Sequence, residues 1–333
     1  CVWGWGLYGK NIHFLREIDH EYFQYVAQVH SEHTEGKNKG KAAIALRSAY
    51  YHGLETLFSL IFSMLQAPQC SLPWILKAKP WQIRKLAGEV CDGKLSGPIR
   101  FRLDQPTWEN ISALVHGVVF REMPNKELLQ QSFATLWRRF AKEYTNQFLV
   151  DEYNSVKHGF RMHLGGMKIS FAPSDDPAQK PNPDAYIPLG ESELGSFFYV
   201  PEQIEGSPVK KRDADPHFWL REQHANNHPA QTDAALLLIA VSINNIRSFL
   251  RIFNHDDKGA EIKLLHPLSD EMFEAPWKNR STLLNFTATR TVVEQRINRM
   301  SSKEIMELLV LFLQRAQQGH CSREGADVCR VEG

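Results

Sequence analysis

The sequence carries almost no excess of charge, few cysteines and no long apolar run, and each shortage excludes something. Its 39 lysines and arginines face 38 aspartates and glutamates, a formal charge of +1. A protein that binds nucleic acid along a whole face usually carries an obvious basic excess. Any such contact here must therefore come from a local patch. Five cysteines (Cys1, Cys70, Cys91, Cys321 and Cys329) are odd in number and thinly spread. They do not make a disulfide framework, and a reducing, cytoplasmic setting is the expectation. No stretch reaches the roughly 18 consecutive apolar residues of a membrane span. The nearest, Leu57 to Leu65, is short and interrupted by Ser59 and Ser63, so no membrane partner is expected. The start, Cys1-Val2-Trp3-Gly4, lacks the basic residues and apolar run of a signal peptide. It also lacks an initiator methionine, which leaves the true start open.

Signature motifs are missing as well. There is no P-loop, HExxH, GxSxG or kinase pattern, which removes the commonest nucleotide, zincin and hydrolase readings. No CxxC occurs, and the spacing of His320, Cys321 and Cys329 matches no common zinc site. His224 and His228 have the i,i+4 spacing of a two-ligand face, but Asn226, Asn227 and Pro229 predict a loop there. Neither a metal nor a cofactor is expected.

What is present is helical periodicity. The length of 333 residues suits about two domains or one elaborated domain, and 43% apolar with 23% charged residues is ordinary for a globular chain. Apolar spacing predicts a helix over 11–30, a strong one from Ala42 to Gln66, a shorter one over 75–89, and another over 107–120. Asn125 offers a cap to a long helix running to Gly159. Residues 167–171 and 195–200 read as strands around a proline-rich loop, with a basic loop at Lys210-Lys211-Arg212. Thr232 can cap a buried helix over 233–253, and Ser301 with Glu304 forms a capping box for 305–316. The expected architecture is a mainly α helical bundle with a small β-containing insertion. Its parts are residues 1–164, the insertion at 165–225, and a helical part at 226–333 packing on the same core. The apolar face of residues 305–313 fits a homodimer and core burial equally well.

Two clusters carry candidate chemistry. On the apolar helix, His52 and Glu55 share a face, the arrangement of a general base oriented by a carboxylate or of a neutralised core pair. In the segment Asp151-Glu152-Tyr153-Asn154-Ser155-Val156-Lys157-His158-Gly159-Phe160-Arg161, helical spacing sets Asn154 and His158 on one face with Arg161 a turn further on. Lys157, His158 and Gly159 also suit a helix end, where cations offset the dipole and glycine stops the helix.

The second segment resembles the signature of the HEPN superfamily: an arginine, often followed by asparagine, then three residues and a histidine. Asn154 and His158 stand at the matching positions, and the arginine is here Tyr153. Arg47 and His52 also satisfy the spacing. The resemblance covers about 110–120 residues and implies a helical bundle. It further implies action on RNA in stress or defence, without metal, with His158 as acid or base. Lys157 and Arg161, possible stand-ins for the arginine, would stabilise phosphate charge. The other reading is a non-catalytic helical protein with a degenerate HEPN-like core, binding a protein partner through its insertion. A small-molecule enzyme with a pocket between helices stays open too, so the residues alone do not decide whether the chain is an enzyme.

Overall fold

A computed structural model describes residues 5–120, 123–159, 161–165, 167–171, 187–192, 194–203, 218–256, 262, 265–267 and 269–278. The expected helix over 305–316, the cysteine tail and the basic loop at 210–212 lie outside them. The chain divides into two compact units, 1–196 with 225–284, and 197–224 with 285–333.

The first unit is a helical bundle with a little strand: mainly α, as the periodicity predicts. Its helices are α1 (Trp5–Glu17), α2 (Tyr22–Ser31), α3 (Lys39–Gln66), α4 (Ser71–Lys77), α5 (Pro80–Cys91), α6 (Trp108–Val119), α7 (Lys126–Tyr144), α8 (Gln147–Lys157), α9 (Pro229–Phe253) and α10 (Glu271–Glu274). Several expected helices are divided where a local hydrogen bond competes with the helix. Residues 11–30 break at Asp19, whose carboxylate accepts from the Glu21 N–H at 3.0 Å. The helix expected over 75–89 is two, because Pro80 cannot continue α4 but is pre-set for the first position of α5. Residues 93–103 run without helix or strand. The long helix expected from Asn125 breaks at Thr145-Asn146. The Thr145 hydroxyl turns back to the Ala141 carbonyl, and the Asn146 side chain accepts from the Phe148 N–H at 3.0 Å to start α8. Thr107 caps α6 as its sequence suggests, while Asn125 makes no capping side-chain bond. Thr232 does not begin α9: Pro229 does, and the Thr232 hydroxyl bonds back to His228 O.

Helices α3 and α9 form the centre. Both are buried nearly all round, and Gly53 lets them meet: a Cβ there would lie 3.1 Å from Ile239 Cγ2. By length and composition α9 could cross a membrane, but 78% of its apolar window is buried inside the protein. Trp137 of α7 donates to Ser242 of α9 at 3.0 Å. On the α6–α7 side sits His116, fully buried and stacked 4.0 Å from Phe133. The Ser112 hydroxyl donates to Gln130 O, so its proton is committed. His116 Nδ1 must then carry a proton and donate toward Ser112 O at 3.1 Å. Burial pushes this imidazole down to about 3, so it is neutral in the folded protein.

Strands β1 (Met162–Leu164), β2 (Met167–Phe171) and β3 (Ile187–Ser192) follow α8. β2 and β3 pair antiparallel from Met167–Ser192 to Phe171–Ile187. The register slips between Ile169 and Ser170, where Pro188, with no N–H to give, faces the partner strand. β4 (Ser196–Gln203) and β5 (Phe218–Ala225) are neighbours in one sheet, and the described residues of the second unit are 197–203 and 218–224 of these strands.

Candidate functional site

The site is built on α8. Leu149, Val150, Glu152 and Ser155 are its buried residues, at the 3/4 spacing of one helix face. This inner face meets α3. Arg47 Nη2 donates to Glu152 Oε2 at 2.8 Å, and Ser196 Oγ approaches Glu152 Oε1 at 3.4 Å. Burial alone would weaken the Arg47 charge, but the Glu152 carboxylate outweighs it and holds the guanidinium above its ordinary value. The space left beside the pair, lined by Ser48, Tyr51, Tyr153 and Val156 among others, is about 10 Å³. That volume suits one water and no substrate.

Three tyrosines extend the contact. Tyr153 stacks on Tyr51 with ring centres 4.6 Å apart, and the Tyr51 hydroxyl donates to Tyr144 O at 3.0 Å. Burial and the nearby Glu55 carboxylate push Tyr153 up to about 12 and raise Tyr144 as well. Tyr51 is raised chiefly by burial and also by Glu55, with Arg84 pulling the other way. The residue at the signature arginine position is therefore an aromatic wall. It carries no charge.

The other end of α8 is different. Gly159 adopts φ +101°, which only glycine takes without strain, and the chain reverses there. Arg161 N returns a hydrogen bond to Ser155 O at 2.6 Å. The expectation that Arg161 sits one helical turn beyond His158 is thus corrected: α8 stops at Lys157, and Arg161 lies past the turn. Lys157, His158 and Arg161 are all exposed, with no acidic partner among the described residues. The Lys157 ammonium lies 5.5 Å from the Tyr153 ring centre, so it reaches back over the position where the resemblance expects an arginine. Asn154 is half-buried, and its backbone carbonyl accepts from the His158 N–H at 2.9 Å.

The other cluster comes apart. His52 is exposed rather than buried, its ring edge against Phe23 at 5.5 Å. Glu55 makes no ion pair with it among the described residues and instead influences the three tyrosines. Neither the general-base pair nor the neutralised core pair is formed. Arg47 of the Arg47/His52 spacing is committed to Glu152. The loop expected between His224 and His228 is present at residues 226–228, but His224 itself lies in β5, its Nε2 2.8 Å from Glu222 Oε1, and His228 precedes α9. Among the described residues no group of three His, Cys, Asp or Glu side chains is placed to hold a metal. Sequence reasoning missed the Arg47–Glu152 pair, whose partners are 105 residues apart. No protein-family model, curated protein or solved structure matches this chain.

Proposed function

We propose that this chain is an RNA-binding protein on an HEPN-like helical bundle, holding a phosphate at the C-terminal end of α8. The observation that carries the reading is the exposed run Lys157, His158 and Arg161, free of acidic partners among the described residues. Three donors of positive or titratable character grouped around the Gly159 reversal form the kind of local patch by which a chain of near-zero net charge would hold phosphate. Asn154 stands one helical turn before His158. Tyr153 in place of arginine weakens the case for cleavage, because transition-state charge on phosphate is best met by a preorganised guanidinium. Binding is therefore the primary activity, with His158 the only group on this turn suited to proton transfer.

The test is retention and cleavage of a structured-RNA pool, with chelator present, by wild type and by a Lys157→Gln/His158→Ala/Arg161→Gln variant. The expected result is binding by wild type that falls at least tenfold in the variant. No binding by either protein ends the reading. Cleavage by wild type that disappears in His158→Ala alone would turn the binding protein into a metal-independent ribonuclease.

A further inference from the structure

An apolar recess lies away from α8, between α4 and α5. It encloses about 430 Å³, the scale of a small-molecule site. Two indoles wall it. Trp74 is half-buried and fixed: its Nε1 donates to Gln66 Oε1 at 3.1 Å, and Gln66 Nε2 donates to Ser96 O at 2.7 Å. Trp81 is 56% exposed, an unusual amount of open surface for so large an apolar side chain. Gln82 spends its Oε1 on the Lys79 N–H at 2.9 Å, which leaves its amide N–H groups as donors. Lys77 and Lys85 complete the rim. Lys85 has Glu89 at 3.6 Å, an exposed pair that a stronger anion displaces at little cost. Glu89 itself is held by Ser96 N and Oγ, which lower its carboxyl further into the charged range.

The segment that builds the recess does not share the charge balance of the whole protein. Between residues 71 and 102 the acidic residues are Glu89 and Asp92 alone, against seven lysines and arginines. A flat aromatic wall, amide donors and a local cationic excess together define a ligand that is planar, hydrogen-bonding and anionic. We infer that this recess binds a nucleotide, its base stacked on Trp81 against the fixed Trp74 and its phosphate met by Lys77 and Lys85. The chemistry is shared by a free mononucleotide and by one residue of a single strand, where base–indole stacking with cationic tracking of the backbone is the usual device. The inference goes beyond the reading of the α8 end and stands if that reading fails.

The experiment is calorimetric titration of the full chain with AMP and, separately, with ten-nucleotide oligo(A). The proteins are wild type, Trp81→Ala, Trp81→Phe, Lys77→Gln/Lys85→Gln and the α8 triple variant. Trp81 is exposed enough that circular dichroism of Trp81→Ala should match wild type. The expected result is saturable binding lost roughly tenfold or more in Trp81→Ala and largely kept in Trp81→Phe. The Lys77→Gln/Lys85→Gln variant should show a shallower salt dependence, by roughly 0.7 in log–log slope for each phosphate contact removed. AMP and oligo(A) binding alike identifies a mononucleotide site; oligo(A) alone identifies a strand site. Absence of binding by both probes overturns the inference. So does binding that survives in Trp81→Ala, and loss in the α8 variant alone would keep the helix-end reading while sinking this one. Retention of a protein partner through Trp81, with no nucleotide bound, would replace it.

Discussion

Arg47, bonded to the inner face of α8, and Lys157, at its exposed end, have opposite fates. The Arg47 guanidinium is largely enclosed and bonded to Glu152 at 2.8 Å, while the Lys157 ammonium lies 5.5 Å from the Tyr153 ring centre on an exposed side chain. One cation has become structure; the other keeps the freedom to meet a ligand. A cation removed from water must be paired at close range, and once paired it is no longer available to a phosphate. The difference explains why chemistry on α8 belongs to its end rather than its inner face, and it can be broken from either side.

The largest effect is expected at the buried side. Arg47→Met leaves the Glu152 carboxylate without its partner and should cost about 3–5 kcal/mol. Urea unfolding monitored by circular dichroism reads this directly. The Arg47→Met/Glu152→Leu double variant should recover at least half of the loss, since an apolar pair of similar volume needs no desolvation. A single-variant cost below ~1 kcal/mol would mean the pair is open to water, and the contrast with Lys157 would collapse.

A second buried group sharpens the contrast between histidines. His116 is enclosed by Phe133, Phe120 and Trp137, and burial lowers it from 6.5 to about 3. The unfolded chain binds a proton below pH 6.5 that the folded chain refuses, so the contribution is intact above 6.5 and is lost as pH falls toward 3. Lowering pH from 6.5 to 5 should cost wild type about 2 kcal/mol at 1.36 kcal/mol per unit. Urea midpoints at the two pH values should show that loss in wild type and a smaller one in His116→Leu. Equal losses would assign the acid sensitivity elsewhere.

Much of this bundle can be read along the sequence, and the exceptions share a cause. Apolar spacing finds α3 and α9 because each must bury nearly its whole circumference, a signal repeated at every turn. The breaks at Asp19, Pro80 and Thr145-Asn146 hide because a single side-chain bond decides each one against an otherwise continuous pattern. Site residues divide the same way. Lys157, His158 and Gly159 are readable as a helix end, since glycine and cations have a local reason to be there. His52 and Glu55 misled, because sharing a helix face does not say which neighbouring helices each side chain meets. The Arg47–Glu152 pair has no local signal at all. The α4–α5 recess did carry one, tryptophans and lysines interleaved in Ser71-Leu72-Pro73-Trp74-Ile75-Leu76-Lys77-Ala78-Lys79-Pro80-Trp81, whose meaning depends on the turn at Pro80.

A smaller effect separates wall from charge at position 153. Tyr153→Arg replaces a ring stacked on Tyr51 and should cost about 1–1.5 kcal/mol of stability, the worth of an aromatic pair. In return it restores a guanidinium one turn before Lys157, and RNA affinity in the pool assay should rise. Urea unfolding and filter retention measured on the same preparation give both numbers. Lower stability with unchanged retention would show that the ring faces no phosphate path.

The smallest stability effect is expected at the exposed end, and there the two readouts must diverge. Lys157, His158 and Arg161 are exposed, and surface substitutions away from buried features usually stay within about 0.5 kcal/mol. His158→Ala should therefore leave the urea midpoint nearly where it was while RNA retention falls. Gly159 continues to make the turn, because its φ of +101° does not depend on the imidazole before it. If His158→Ala instead lowers stability by more than ~1 kcal/mol, the imidazole is a structural cap on α8. The helix end would then resemble the buried side, and a fall in retention could no longer be credited to a phosphate contact.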